Sequence, residues 1–385
     1  MNVISRLGFG KPTVLALIDL IQDLDILLPL LIAAQQRSDL KFKVCVTDWV
    51  IDKSPRVKNI LDSLNLDYFI VMRPAAKLGL QPSLRGIKAL ITAAETTAGP
   101  HLSAHTLTKR AHRSGILTYT LQHGFENIGL TYFDEVHTPE AIRFASQKIL
   151  IWGDLDTLSP QVLPETKSRC FPVGCFKEID RVKPAIEIPN RRDYLIAIFE
   201  NLHWHRYNDE YRNRFLADLE KTAIQFPDTT FLIKPHHAGQ WLTDRYRGQL
   251  PEADNLIIAD PQDPRWEPFT APAIIQDADG VITTPSTVAL DAAQTNCPVA
   301  VVGYGLNLAK YEPLPIINAV EDWITFIQKL RTPEGRLASV ERSRTFVEKN
   351  ILPGNAVERV LNSIATDIKM SHKVYAPGPS LKGEN

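Results

Sequence analysis

The sequence predicts an α/β protein of two Rossmann-like, doubly wound parallel-sheet domains, and three observations predict it. Apolar runs of strand length alternate with helix-length segments along nearly the whole chain, the pattern of parallel sheets covered on both faces. The runs are continuous, as in VLALIDL and YLIAIFE, which suits strands buried on both sides. At 385 residues the chain is too long for one ordinary core.

In order along the chain, VLALIDL (14–20) reads as a strand and 24–37 as a helix. KVCVTDWV (43–50) is the next strand, followed by a helix near 56–64, and YFIVM (68–72) is the third strand. KALITAA (88–94) leads to a helix over 100–114, then to strands at LTYTLQ (117–122) and KILIW (148–152). After a charged, proline-bearing stretch at 177–193 the alternation resumes with YLIAIFE (194–200), TTFLIKP (229–235), NLIIAD (255–260), GVITT (280–284) and PVAVVG (298–303). The expected division is a first domain over 1–176, a hinge over 177–193, a second domain over 194–370 and a flexible tail over 371–385. Of the closing helices at 319–331, 337–350 and 355–368, one is expected to cross back to the first half.

The totals exclude several classes. Hydrophobic content of 44% with 23% charged residues is that of a globular protein, and a net charge of −1 gives no reason to expect nucleic acid as a partner. The cysteines Cys45, Cys170, Cys175 and Cys297 form no C-x-x-C pair. Cys45 and Cys297 read as core residues in a reducing, cytoplasmic setting. No apolar run is long enough to span a membrane, and association with the inner membrane face is left open. No H-E-x-x-H and no tight acidic cluster points to a metal, and neither G-x-S-x-G nor a complete G-x-G-x-x-G is present.

Ligands of open parallel sheets bind beyond the carboxyl ends of the strands, and polar residues collect there. LTYTLQ ends in His123-Gly124-Phe125-Glu126-Asn127, YLIAIFE in Asn201-Leu202-His203-Trp204-His205-Arg206, FLIKP in His236-His237, and GVITT in Pro285-Ser286-Thr287. These four ends hold half of the ten histidines. Thr284, Ser286 and Thr287 stand where a buried strand meets a helix expected from Val288. They suit either capping or phosphate binding, and Asp291, one turn on, could accept ribose hydroxyls. Lys234 ends a buried strand, where a cation is unusual unless it meets water or an anion, and His236 can donate to phosphate. Glu200 ends another buried strand, a costly place for a carboxylate that is neither used nor paired. Arg206 and Arg212 are the candidates for a structural pair with it. Glu126 reads equally as a cap partner or as an acid or base. Trp204 and Tyr207 could stack on a ligand or simply pack.

K-P-H at one strand end, and S-T-x-x-x-D followed by N-C-P-V-A-V-V-G, resemble the C-terminal half of GT-B glycosyltransferases of bacterial surface-polysaccharide synthesis (capsule and lipopolysaccharide). TYTLQHGFENIGLTYFD (118–134) and FENLHW (199–204) look like retaining β-Kdo transferases, with CDP-glycerol glycerophosphotransferases more distant. The resemblance implies a donor nucleotide, CMP-Kdo, held mainly by the second domain, and a glycan or glycolipid acceptor on the first. It also implies other polysaccharide-synthesis enzymes as partners. On it, Lys234, His236, Thr284, Ser286, Thr287 and Asp291 bind the nucleotide, and His123, His203 and His205 are further donor or acceptor contacts. His237 stands where the family keeps a proline. Glu126, from a facing half, is the expected base and Glu200 the second carboxylate that retention requires. No cofactor or metal is expected. The runners-up are a CDP-glycerol-type phosphotransferase, a non-catalytic sugar-nucleotide-binding assembly protein, and a UDP-N-acetylglucosamine 2-epimerase, which shares the fold and needs no acceptor.

Overall fold

The computed structural model describes residues 10–177, 187–236 and 239–374. The chain forms two compact units. Described residues 10–123, 127–177 and 351–374 make the first, and 124–126 with 187–350 the second.

The first unit holds β1 (Thr13–Ile18), β2 (Lys41–Thr47), β3 (Tyr68–Val71), β4 (Ile87–Thr92), β5 (Leu117–Leu121), β6 (Lys148–Ile151) and β7 (Cys170–Pro172). Its helices are α1 (Ile21–Gln35), α2 (Asp48–Lys53), α3 (Pro55–Ser63), α4 (Arg73–Lys77), α5 (Leu102–Arg113) and α6 (Pro164–Lys167). The sheet order is β3-β2-β1-β4-β5-β6-β7 and every pair is parallel. Residues Val14–Ile18 of β1 are at most 1% exposed, because helices cover both faces.

In the second unit lie β8 (Tyr194–Glu200), β9 (Thr229–Pro235), β10 (Leu256–Ile258), β11 (Gly280–Thr283), β12 (Val299–Val302) and β13 (Ile316–Ile317). Its helices are α7 (Asp209–Gln225), α8 (Ala271–Asp277), α9 (Val288–Gln294), α10 (Val320–Leu330) and α11 (Pro333–Asn350). The order β10-β9-β8-β11-β12-β13 is again wholly parallel. One face of this sheet (Ile196, Ile198, Phe231, Ile233, Ile282) packs on Phe215, Trp323 and Phe326 of α7 and α10.

The last helix, α12 (Ala356–Val374), is built into the first unit. Its Val360, Leu361, Ile364 and Ile368 join the core of α1 and β1, and Asp367 takes bonds from Tyr119 Oη and Lys148 Nζ, both 2.6 Å.

Several boundaries differ from the sequence reading. Helix α1 begins at Ile21 rather than 24, because Asp23 Oδ2 accepts the N–H groups of Asp19 and Leu20, each at 2.9 Å, and so caps an earlier first turn. Strand β2 stops at Thr47 rather than 50; Asp48 Oδ1 accepts the Trp49 and Arg73 N–H groups, both 2.8 Å, and opens α2. The strands β7 and β13 are three and two residues long, too short to show a pattern. Of the expected hinge, 178–186 lie outside the described residues. Residues 187–193 are packed into the second unit, where Arg191 pairs with Asp277 and the Arg192 N–H meets Thr230 Oγ1 at 2.7 Å. The expected tail from 371 is helix as far as Val374, and 375–385 lie outside the described residues. Cys45, Cys170 and Cys297 are buried thiols. No described helix is long and apolar enough to cross a membrane.

Candidate functional site

In the second sheet the strand order reverses between β8 and β11, which is where such sheets receive ligands. Strand β8 ends in Glu200, with Asn201 next, and β11 in Thr283, with Thr284 next. Asn201 ties the two ends together. Its N–H donates to Thr284 Oγ1 (3.1 Å), its Nδ2 to the Pro285 carbonyl (3.0 Å), and its Oδ1 accepts Thr284 Oγ1 (2.5 Å) and Tyr207 Oη (2.8 Å). Sequence reasoning passed over Asn201; its position directly after a strand-ending carboxylate was the available signal. Thr284 is fully buried with its hydroxyl used in both senses, so it braces the loop and has no face left for phosphate. Tyr207 is likewise core rather than a stacking platform.

Ser286 and Thr287 are half-buried. Ser286 Oγ accepts the Val288 N–H at 3.3 Å and retains its own proton to donate. Thr287 does not cap α9; its Oγ1 accepts the N–H of Phe125 at 2.9 Å. Gly124 makes that approach possible, since a Cβ there would lie 2.7 Å from Thr287 Oγ1. Asp291, in the first turn of α9, is 2% exposed.

Glu200 is 3% exposed. Its Oε2 accepts the Leu202 N–H at 2.6 Å, while its Oε1 is buried with no hydrogen-bond partner within bonding distance among the described residues. Burial pushes its pKa up to about 7, against the smaller pull of the nearby Leu202 and His236 N–H groups. Neither expected arginine pairs with it. Arg212 donates to the carbonyls of Leu202 and Trp204, and Arg206 goes to Glu126.

On the adjoining strand β9, Pro235 stands in register with Glu200 and Lys234 with Phe199. Lys234 is half-buried, burial lowers its pKa, and its side chain makes no ion pair or hydrogen bond with a described residue. His236 is exposed, with its ring 4.6 Å from that of His203. His203 Nδ1 is buried without a partner, and burial first, then the charge of His236, hold its pKa down at about 3. His205 is exposed. His237 lies outside the described residues.

Glu126 is not an isolated carboxylate. Within the second unit its Oε1 accepts Tyr311 Oη (2.6 Å) and Arg206 Nη1 (3.1 Å), and Lys310 Nζ lies 2.7 Å from Oε2. Phe125 beside it packs edge-on against Tyr311 and Phe346. The expectation of a base drawn from a facing half is therefore corrected: the residue belongs with the second unit, and two cations and a phenol occupy its oxygens. The sequence held no sign of these partners, all of them 80 or more residues away. His123 remains in the first unit, edge-on to His101 at 5.3 Å. Its Nδ1 is buried without a partner, and burial holds its pKa near 4. Among the described residues no three His, Cys, Asp or Glu side chains are grouped to hold a metal ion.

Two wholly parallel sheets, one of seven strands and one of six, define the GT-B architecture. Solved structures share it. MnaA of S. aureus in complex with UDP matches with a TM-score of 0.65 at 12% identity, over 94% of this chain and 98% of that one. UDP-GlcNAc 2-epimerase from Neisseria meningitidis, bound to UDP-GlcNAc, matches at 0.62 and 13%, over 92% and 100%. The wall teichoic acid polymerase TagF with CDPG matches at 0.56 and 12%, over 94% and 89%. At these identities the likeness is one of fold. No family model and no curated protein matches the chain.

Proposed function

We propose that the chain is a glycosyltransferase that moves a sugar from a nucleotide donor to a surface-polysaccharide acceptor. In this reading the donor sits at the carboxyl end of the second sheet. The observation that carries the proposal is the pairing of unused groups there: among the described residues, Lys234 has no counter-ion and Glu200 keeps a buried, unbonded oxygen. A half-buried lysine with its pKa lowered gains most from an arriving phosphate, because the anion replaces the water that burial removed. His236 and the Ser286 hydroxyl add donors for the same charge. When the bond from the anomeric carbon to the phosphate oxygen breaks, its electron pair leaves with the nucleotide, and these donors stabilise the developing charge. Glu200, with a pKa near 7, can hold or release a proton at neutral pH. It is the carboxylate proposed at the reacting centre, and Glu126 is proposed as an anchor for Arg206 and Lys310.

CMP-Kdo is the donor proposed for the first assay, on the resemblance of TYTLQHGFENIGLTYFD and FENLHW to Kdo transferases. A second reading, an acceptor-independent nucleotide-sugar epimerase, has its support in the fold neighbours that bear that name. The test incubates the full chain with CMP-Kdo, CDP-glycerol or UDP-GlcNAc, with and without a glycan acceptor, and identifies products by mass. Acceptor-dependent release of CMP with a Kdo-extended glycan is the expected result. Glycerophosphate transfer, or an epimer formed without acceptor, moves the assignment to the corresponding alternative. No turnover with any donor contradicts the proposal.

A further inference from the structure

The first unit carries a surface that the proposed donor site does not use. Between Met72 and Arg113 the sequence has seven cations (Arg73, Lys77, Arg85, Lys88, Lys109, Arg110, Arg113) and one acid, Glu95. Glu95 is fully buried. Arg73 pairs with Asp19, and Arg110 donates to the carbonyls of Gly79 and Pro82. The other five cations are exposed, and none is in an ion pair with a described residue. In a chain of net charge −1 this is a marked local excess of positive charge along the sequence.

At the two ends of α4, Met72 before it and Leu78 and Leu80 in the turn after it hold three apolar side chains out to solvent. Leu78 is 75% exposed, Leu80 73% and Met72 57%. The turn is fixed. Leu78 N–H meets the Pro74 carbonyl at 3.0 Å, Leu80 N–H the Ala75 carbonyl at 2.9 Å, and Met72 N–H the side chain of Gln81 at 3.1 Å. Gly79, at φ +75°, supplies the left-handed bend between the two leucines, and the Arg110 guanidinium straps the turn to α5. A fixed turn presents the leucines without an ordering cost on binding.

The geometry points to this knob as a docking surface for a membrane rich in anionic lipid. The exposed leucines sit on a turn strapped to α5, with exposed Lys77 beside them in the chain and Lys109 and Arg113 on that helix, none of these cations in an ion pair with a described residue. Together they combine the two terms that hold a protein at such a surface: apolar insertion below the headgroups and attraction to their charge. A nucleic acid would engage the cations but leave the leucines in water. The inference does not depend on the activity proposed above.

The test is co-sedimentation of the full chain with vesicles of phosphatidylcholine alone and of phosphatidylcholine mixed with phosphatidylglycerol. Binding to the mixed vesicles, weakening with salt, is expected. The Leu78→Ser/Leu80→Ser double variant should bind about tenfold more weakly at an unchanged melting temperature, and Lys109→Glu/Arg113→Glu should lose binding as well. Equal binding to both vesicle types, no binding to either, or mixed-vesicle binding that ignores the leucines would overturn the proposal. Retention on heparin without vesicle binding would overturn it in favour of a soluble polyanion.

Discussion

Glu95, three residues beyond β4, and Glu200, the last residue of β8, are both buried carboxylates at or just past the carboxyl end of a central strand, one in each unit, and their surroundings are opposite. Glu95 takes four donors: His105 Nδ1, the N–H groups of Ala145 and Ser146, all at 2.7 Å, and Ser146 Oγ at 2.8 Å. Glu200 takes one strong donor and leaves an oxygen buried with none among the described residues. A carboxylate ringed by donors is part of the scaffold. One kept desolvated and under-bonded costs stability, and such costs concentrate where a protein binds or reacts. The difference teaches that a strand-ending acid is informative by its partners and not by its position.

The comparison can be broken in four ways. The largest effect is expected from Glu95→Ala, which strands two backbone N–H groups and a serine in the core and should cost about 4 kcal/mol of stability by denaturant titration. A loss below about 1 kcal/mol would show that the donors are not holding the loop. Next, Glu126→Ala leaves Arg206 and Lys310 facing one another without their anion and should cost about 3 kcal/mol. If it melts like wild type yet loses transfer, Glu126 is at the reacting centre after all.

Glu200→Gln should act in the reverse sense. A glutamate whose folded pKa is raised to about 7 imposes no burial penalty below the unfolded value, a growing one as pH rises from about 4.5 to about 7, and a constant one above. The variant should therefore match wild type near pH 4.5 and exceed it by up to about 3 kcal/mol at pH 8, while transfer falls about a hundredfold or more. Asp23, also raised to about 7 by burial, gives both proteins the same background trend, so their difference isolates Glu200. Equal stability at pH 8 would mean that the oxygen is better solvated than its burial implies. The smallest effect on the fold belongs to Lys234→Ala. It should leave stability within about 0.5 kcal/mol and weaken nucleotide binding about tenfold by titration calorimetry. Unchanged affinity would return this lysine to the surface.

Much of the fold was legible because buried parallel strands leave continuous apolar runs. YLIAIFE and TTFLIKP match β8 and β9 residue for residue. The two- and three-residue edge strands leave no such run. The polar strand ends could be found as a class, but not sorted. Glu95 sits in ITAAETT with nothing to mark it, because its partners come from α5 and from Ala145-Ser146. Glu126 looked like a free acid because Arg206, Lys310 and Tyr311 are remote in sequence. Thr284 looked like a ligand hydroxyl because its partner, Asn201, ends a different strand. Lys234 stood out on its own, since a cation ending a buried strand needs an explanation that is local.

The central claim is that the second sheet's open end takes a nucleotide through Lys234. The most direct measurement is the melting temperature of wild type and Lys234→Ala with millimolar CMP, CDP, UDP, GDP or ADP, since a ligand that binds only the native state raises it by mass action. A rise of a few degrees with CMP in wild type, and a clearly smaller one in the variant, is the predicted result. No rise with any nucleotide, or an equal rise in both proteins, would contradict the claim and leave the Thr283–Thr287 turn as a braced strand end alone.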